Sequence, residues 1–147
     1  MTTKKATLAL LGVLALSLVV GSVELGSRAA FSDAEVCIGN TFTDPPGPIS
    51  IVKVRGDGSW DGRTWLVGMY ASETRATTVT LANSLEEDIA VTLTVSPQTC
   101  DNGNLSFGFD NPAPVIPAKG RASVVFRVEA SQGVTPGSYS NVVTIEW

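Results

Sequence analysis

The side chains that could do chemistry are few and poorly assembled for it. The 147-residue chain has two cysteines, Cys37 and Cys100, three tryptophans and no histidine. Without histidine there is no Ser-His-Asp triad and no His-based zinc site of the H-E-x-x-H kind. The side chain most used for proton transfer near neutrality is also missing. Asp, Glu, Ser and Thr are present, but no spacing brings together a nucleophile, a base and an oxyanion site, so no catalytic residue and no enzymatic activity are expected. Two thiols without other soft ligands make a poor metal site, and neither a metal nor a cofactor is expected. Glu86, Glu87 and Asp88 are consecutive at a turn, which suits a solvated tip better than a calcium loop. Trp60 and Trp65 flank the turn Asp61-Gly62-Arg63 and read as packing residues, the other use of such a pair being a shelf for a sugar ring. Asn104-Leu105-Ser106 is an N-x-S/T site, which makes Asn104 a glycosylation acceptor in a cell with that machinery.

What the cysteines do depends on export. Lys4 and Lys5 precede an uncharged apolar run, residues 6–23, which Glu24 ends. Ser27-Arg28-Ala29 offers small residues at the −3 and −1 positions, so the pattern predicts a signal peptide, residues 1–29, cut between Ala29 and Ala30 by signal peptidase. An extracellular or cell-surface location follows. Two other readings stay open. An uncleaved leader would be an anchor at the lower length limit for a bilayer. A type IV pilin leader would be cut before the apolar run, but a cut near Ala6 puts Leu10 or Leu11 where such pilins carry Glu.

Removing 29 residues from 147 leaves 118, enough for one domain. Lys4, Lys5, Arg28 and Glu24 leave with the leader, so 10 basic and 14 acidic side chains become 7 and 13, a net charge of −6. That balance argues against a nucleic-acid partner, and no small-molecule substrate is indicated. In an exported chain two cysteines default to one disulfide, here closing a loop of about 60 residues for roughly 2–4 kcal/mol. Two buried free thiols are the alternative.

The elements that must position these residues read as strands. Residues 30–43 alternate: Ala34, Val36, Ile38 and Phe42 on one face, Glu35, Cys37, Thr41 and Thr43 on the other, with Asn40 interrupting the apolar side. Asp44-Pro45-Pro46-Gly47-Pro48 then stops any ladder and reads as a stiff connector. Further strands are expected at 49–55, 64–70, 75–82, 89–95, 105–109, 122–129 and 139–147, with 75–82 and 89–95 forming a hairpin with one dry face. No stretch after Glu24 carries a helical period. The fold class is all-β, an antiparallel β-sandwich of Ig-like or jelly-roll type over 44–147.

Two resemblances sharpen this. Val79–Val95 and Val115–Trp147 are similar to the Ig-like modules of exported bacterial and archaeal proteins: strand, polar turn, strand, then Ile-Pro-Ala-x-Gly, a strand, and Pro-Gly-x-Tyr before the last strand. That pattern is informative for fold and weak for function. The N-terminal part resembles the TasA/camelysin biofilm-matrix proteins and the related archaeal bundling pilins. The matching residues are Lys4-Lys5, the apolar run, Gly26, Ala29-Ala30-Phe31-Ser32-Asp33 and Gly39-Asn40-Thr41-Phe42-Thr43. The chain is much shorter than the bacterial members and has a cysteine pair they lack. Camelysin-type proteins have been labelled metalloproteases, a role the absence of histidine rules out here.

The second resemblance implies a subunit of a pilus, filament or biofilm matrix, polymerising head-to-tail with itself. Residues 30–43 would then be a donor strand, with Ala30, Phe31, Ala34, Val36, Ile38 and Phe42 filling the sheet of the next subunit. The physics is compatible. A sandwich lacking a strand exposes an apolar groove and unpaired backbone groups, a free segment can fill it by β-augmentation, and a head-to-tail contact yields an open fibre. Each large apolar side chain buried contributes roughly 1.5–3 kcal/mol. The alternatives are that 34–42 is the first strand of its own sandwich and that the protein is a monomeric or membrane-anchored Ig-like surface module. Cys37 lies inside the proposed donor strand, so a bond to Cys100 would be a tether within the chain or a cross-link between subunits.

Overall fold

In a computed structural model the described residues are 35–45 and 47–147. Residues 35–147 form one compact unit, and its described residues contain no α-helix. The strands in chain order are β1 (Val36–Phe42), β2 (Ile49–Gly56), β3 (Ser59–Trp60), β4 (Thr64–Met69), β5 (Thr74–Asn83) and β6 (Ile89–Ala90). They continue with β7 (Thr92–Ser96), β8 (Thr99–Cys100), β9 (Leu105–Phe109), β10 (Val115–Ile116), β11 (Arg121–Ala130) and β12 (Gly137–Glu146). They form two five-stranded sheets packed as a sandwich, β3-β4-β1-β12-β7 and β2-β5-β11-β9-β8, with a small β10-β6 ladder. Pairing is antiparallel throughout except between β1 and β12, which run parallel.

The period-two pattern explains the layering. Val79 and Leu81 of β5, Leu93 and Val95 of β7, Val124, Phe126 and Val128 of β11, and Val143 and Ile145 of β12 all face the core. Their intervening residues are exposed or half-buried. An aromatic cluster joins the sheets: the Phe126 ring meets Phe42 at 5.9 Å, Trp65 at 5.7 Å and Phe109 at 4.8 Å between centroids.

The hairpin expected from 75–82 and 89–95 does not form. β5 pairs with β2 and β11, whereas 89–95 is split at Val91: Ile89–Ala90 pairs with β10, and Thr92–Ser96 crosses to the other sheet to pair with β12. Pro112 and Pro114 supply the reason, since their carbonyls accept from the Leu93 and Val91 N–H groups at 2.7 and 2.9 Å. Asn83 fixes the crossover. Its Nδ2 donates to the Glu87, Ile116 and Pro117 carbonyls, and its Oδ1 accepts from the Leu85 N–H. Ile89, Val91, Leu93 and Val95, which make up the dry face of 89–95, are all buried despite the change of partner, because burial depends on the alternation and not on which strand lies alongside.

Candidate functional site

The candidate site is the slot that β1 occupies. β4 lies on one side of it and β12 on the other, each bonded to β1. Without β1 the sheet would separate into β3-β4 and β12-β7. No tight turn ties β1 to either neighbour. It continues instead through Thr43–Pro48 into β2, at the edge of the opposite sheet.

Inside the slot, Val36, Ile38 and Phe42 are at most 1% exposed. Phe42 meets Trp60 edge-on at 5.4 Å as well as Phe126. Asn40, which breaks the apolar pattern, is fully buried. It stands opposite Asn141 of β12 and Trp65 of β4. Asn141 Nδ2 donates to Asn40 Oδ1 at 2.8 Å, and Asn40 Nδ2 donates to the Trp65 carbonyl at 3.1 Å, so one side chain grips both walls. A two-residue slip of β1 would set Asn141 against Ile38 or Phe42 and leave buried amides unpaired. Such a loss costs about 1–3 kcal/mol per group, which makes Asn40 a register lock. The interruption in the alternation was the available signal for it.

The C-terminal end of β1 is held by the Thr43 N–H and hydroxyl, both donating to the Val143 carbonyl, and by the Phe42 N–H donating to the Arg63 carbonyl. In the connector, Gly47 has φ +62°, and a Cβ there would approach the Trp147 ring to 2.9 Å. On the outward face, Cys37 and Gly39 border a shallow depression of about 450 Å³ with Leu66, Gly68, Ser138 and Glu35.

The expected disulfide is absent: Cys37 and Cys100 are both free. Cys37 occupies an outward position of β1, while Cys100 of β8 belongs to the other sheet and packs against the core. A disulfide needs Cβ atoms about 3.8 Å apart and facing each other, and here the sheet of β1 lies between. Burial, with the neighbouring Asp101 carboxylate, pushes the Cys100 thiol pKa up. Tyr139, whose hydroxyl donates to the Thr135 carbonyl, is raised by burial and then by Asp101 and Cys100. Asp101 is lowered, chiefly by accepting from the Thr135 N–H.

Of the other sequence-predicted residues, Trp65 is core, its Nε1 donating to the Asp57 carbonyl, and Trp60 packs against that core. They form no sugar shelf. Glu86 pairs with Lys119 at 3.2 Å, and Asp88 accepts from the Ala118 N–H. Among the described residues no group of three or more His, Cys, Asp or Glu side chains is placed to hold a metal ion. Asn104 is half-buried, its Oδ1 accepting from the Ser131 hydroxyl. The signal peptide, the Ala29–Ala30 cut and the donor residues Ala30, Phe31 and Ala34 lie outside the described residues. Val36, Ile38 and Phe42 lie in the sandwich of their own chain. Compared with known proteins, the sequence matches no family model and no curated protein.

Proposed function

We propose that the chain is an exported, non-enzymatic structural subunit of a cell-surface filament, in which β1 of one subunit fills the slot between β4 and β12 of the next. The observation that carries this is that β4 and β12 are bridged by β1, while β1 is covalently linked to the strands that follow only through the connector. Such a strand can be replaced by an identical one from another copy with the same register and the same buried contacts, which is the condition for exchange. A short, proline-rich hinge favours exchange over return to the same body. We read the sandwich as Ig-like and the segment before β1 as a cleaved export signal, and the likeness to TasA-type and bundling-pilin subunits supports both. Shearing the producing cells tests the proposal. Fibres containing this chain are expected, and deleting residues 30–43 should abolish them while leaving export intact. Fibres that persist after the deletion would refute it.

One observation favours a second reading. β1 is bonded along both edges in its own chain and Phe42 reaches the opposite sheet, which suits a monomeric Ig-like surface module whose first strand never leaves.

A further inference from the structure

The outward face of the β2-β5-β11 sheet carries an ordered set of cations. The register defines its rows. Ser50, Ala82 and Arg121 share one; Lys53, Thr80 and Ser123 the next; Arg55, Thr78 and Val125 the third; Asp57, Ala76 and Arg127 the fourth, where the Asp57 carboxylate accepts from the Ala76 N–H. Each row holds one cation, the outer two on β11 and the middle two on β2: Arg121, Lys53, Arg55, Arg127. Rows lie about 7 Å apart along the strands, so the stripe runs for about 20 Å. All four side chains are exposed, and none makes an ion pair or side-chain hydrogen bond among the described residues. They stand in a chain whose net charge is −4.

Between β2 and β11, β5 presents only small outward side chains, Ala76, Thr78, Thr80 and Ala82. The result is a groove with a hydroxyl-bearing floor and cationic walls. Thr80 and Ser123 hydroxyls pair across that floor at 2.9 Å, and Lys53, Arg55, Thr78, Thr80 and Ser123 line a depression of about 270 Å³. Glu129, one row beyond Arg127 opposite Thr74, closes one end. Asp110 lies beside Val125, its Oδ1 accepting from the Val125 and Asn111 N–H groups, and borders a depression with Arg127 and Glu129.

A bulge builds part of the stripe. Strict alternation along Ile49–Arg55 would put Ile49, Ile51, Lys53 and Arg55 on one face. The register shifts between Ile51 and Lys53, so Val52 is the extra residue. Ile49 and Val54 then turn inward, while Lys53 and Arg55 turn out. Bulges re-aim side chains in this way beside functional sites. Guarding a sheet edge against pairing would explain cations on β2, the edge strand. It does not explain Arg127 on β11, which is paired on both sides, with Ala76 of β5 and Gly108 of β9.

We infer that this face binds an extended acidic polysaccharide lying along β5. Carboxylates or sulfates would pair with the cations, and sugar hydroxyls with the threonine and serine floor. Nucleic acid fits less well. No aromatic side chain stands in these rows to stack a base, and the acidic remainder of the chain repels a phosphate backbone.

Calorimetric titration of the full chain with polygalacturonate tests this, with neutral dextran and duplex DNA as comparisons. Polygalacturonate should bind at low ionic strength and weaken as salt rises. Lys53→Gln with Arg55→Gln, and separately Arg121→Gln with Arg127→Gln, should each weaken binding by about tenfold or more. Arg63→Gln, on a turn of the other sheet, should leave it unchanged. Absence of binding by the unaltered chain would overturn the inference. So would equal loss with Arg63→Gln, duplex DNA binding as tightly as polygalacturonate, or dextran binding equally. Thermal melts of each variant separate lost binding from lost fold. The inference does not depend on strand exchange, so fibre loss and binding loss are independent results.

Discussion

Asn141 of β12 donates from Nδ2 to Asn40 Oδ1 of β1 at 2.8 Å, inside an otherwise apolar slot and between strands that run parallel. The pair states the register of β1 in chemical terms, and any strand entering the slot in that register must supply the same amide. Asn40→Leu should therefore destabilise the fold by about 1–3 kcal/mol, because the Asn141 amide and the Trp65 carbonyl lose a buried partner. Replacing both asparagines by leucine should recover part of that loss. Urea denaturation of both singles and the double gives the coupling, and purely additive losses would deny the lock.

Phe42 is 1% exposed and touches Trp60 and Phe126 rings. Phe42→Ala should cost about 3–5 kcal/mol, the range for emptying a buried aromatic site. Thr41→Ala, at the neighbouring outward position, should stay within about 0.5 kcal/mol. Denaturant midpoints check the contrast.

Gly58 and Gly62 separate two effects of a left-handed backbone. Both have positive φ, +77° and +102°, but a Cβ on Gly58 would overlap the Leu66 carbonyl oxygen whereas one on Gly62 meets nothing within 4 Å. Alanine at 62 should cost about 1 kcal/mol for backbone strain alone. Alanine at 58 should cost clearly more, since the strand beneath must also move. Thermal melts of the two variants rank them.

Two free thiols in different surroundings predict biphasic labelling. Exposed Cys37 should react with a maleimide at once. Cys100, half-buried and with its pKa raised by burial and by Asp101, should lag until the chain is unfolded. Intact mass before labelling should show two thiols and no bridge.

Acid should weaken the fold through a few surface carboxylates. Asp61 is lowered by the Thr64 and Arg63 N–H groups, Glu73 by the Tyr70 N–H and then Arg75, and Asp101 by the Thr135 N–H. A carboxylate lowered on folding stabilises fully above its unfolded value, about 4, and loses that contribution as pH falls through the folded value. Stability should hold from neutrality to about pH 5 and decline below about 4. Asp101→Asn should flatten that decline in a pH series of melts.

What could be read from the residues was mainly orientation. Alternation placed Val36, Ile38 and Phe42 inward and Cys37 outward, and the same held for β5, β7 and β11. Partnership was hidden. Nothing in 75–95 says that Asn83 will send the chain to the opposite sheet, because that choice rests on the Pro112 and Pro114 carbonyls some twenty residues later. The disulfide expectation failed for the same reason, since spacing along the chain does not reveal that a sheet stands between two thiols. Asn40 looked like a flaw in the strand until its partners across the slot were known. The bulge at Val52 is visible only as a change of phase within Ile49–Arg55.

The central claim is that β1 leaves its own slot for that of a neighbour. Electron cryo-microscopy of filaments sheared from producing cells, tracing residues 30–43, tests it most directly. The account predicts β1 between β4 and β12 of the adjacent subunit, with Asn40 of one chain bonded to Asn141 of the next. Filaments in which β1 lies in its own sandwich, or no filaments containing this chain, would contradict it.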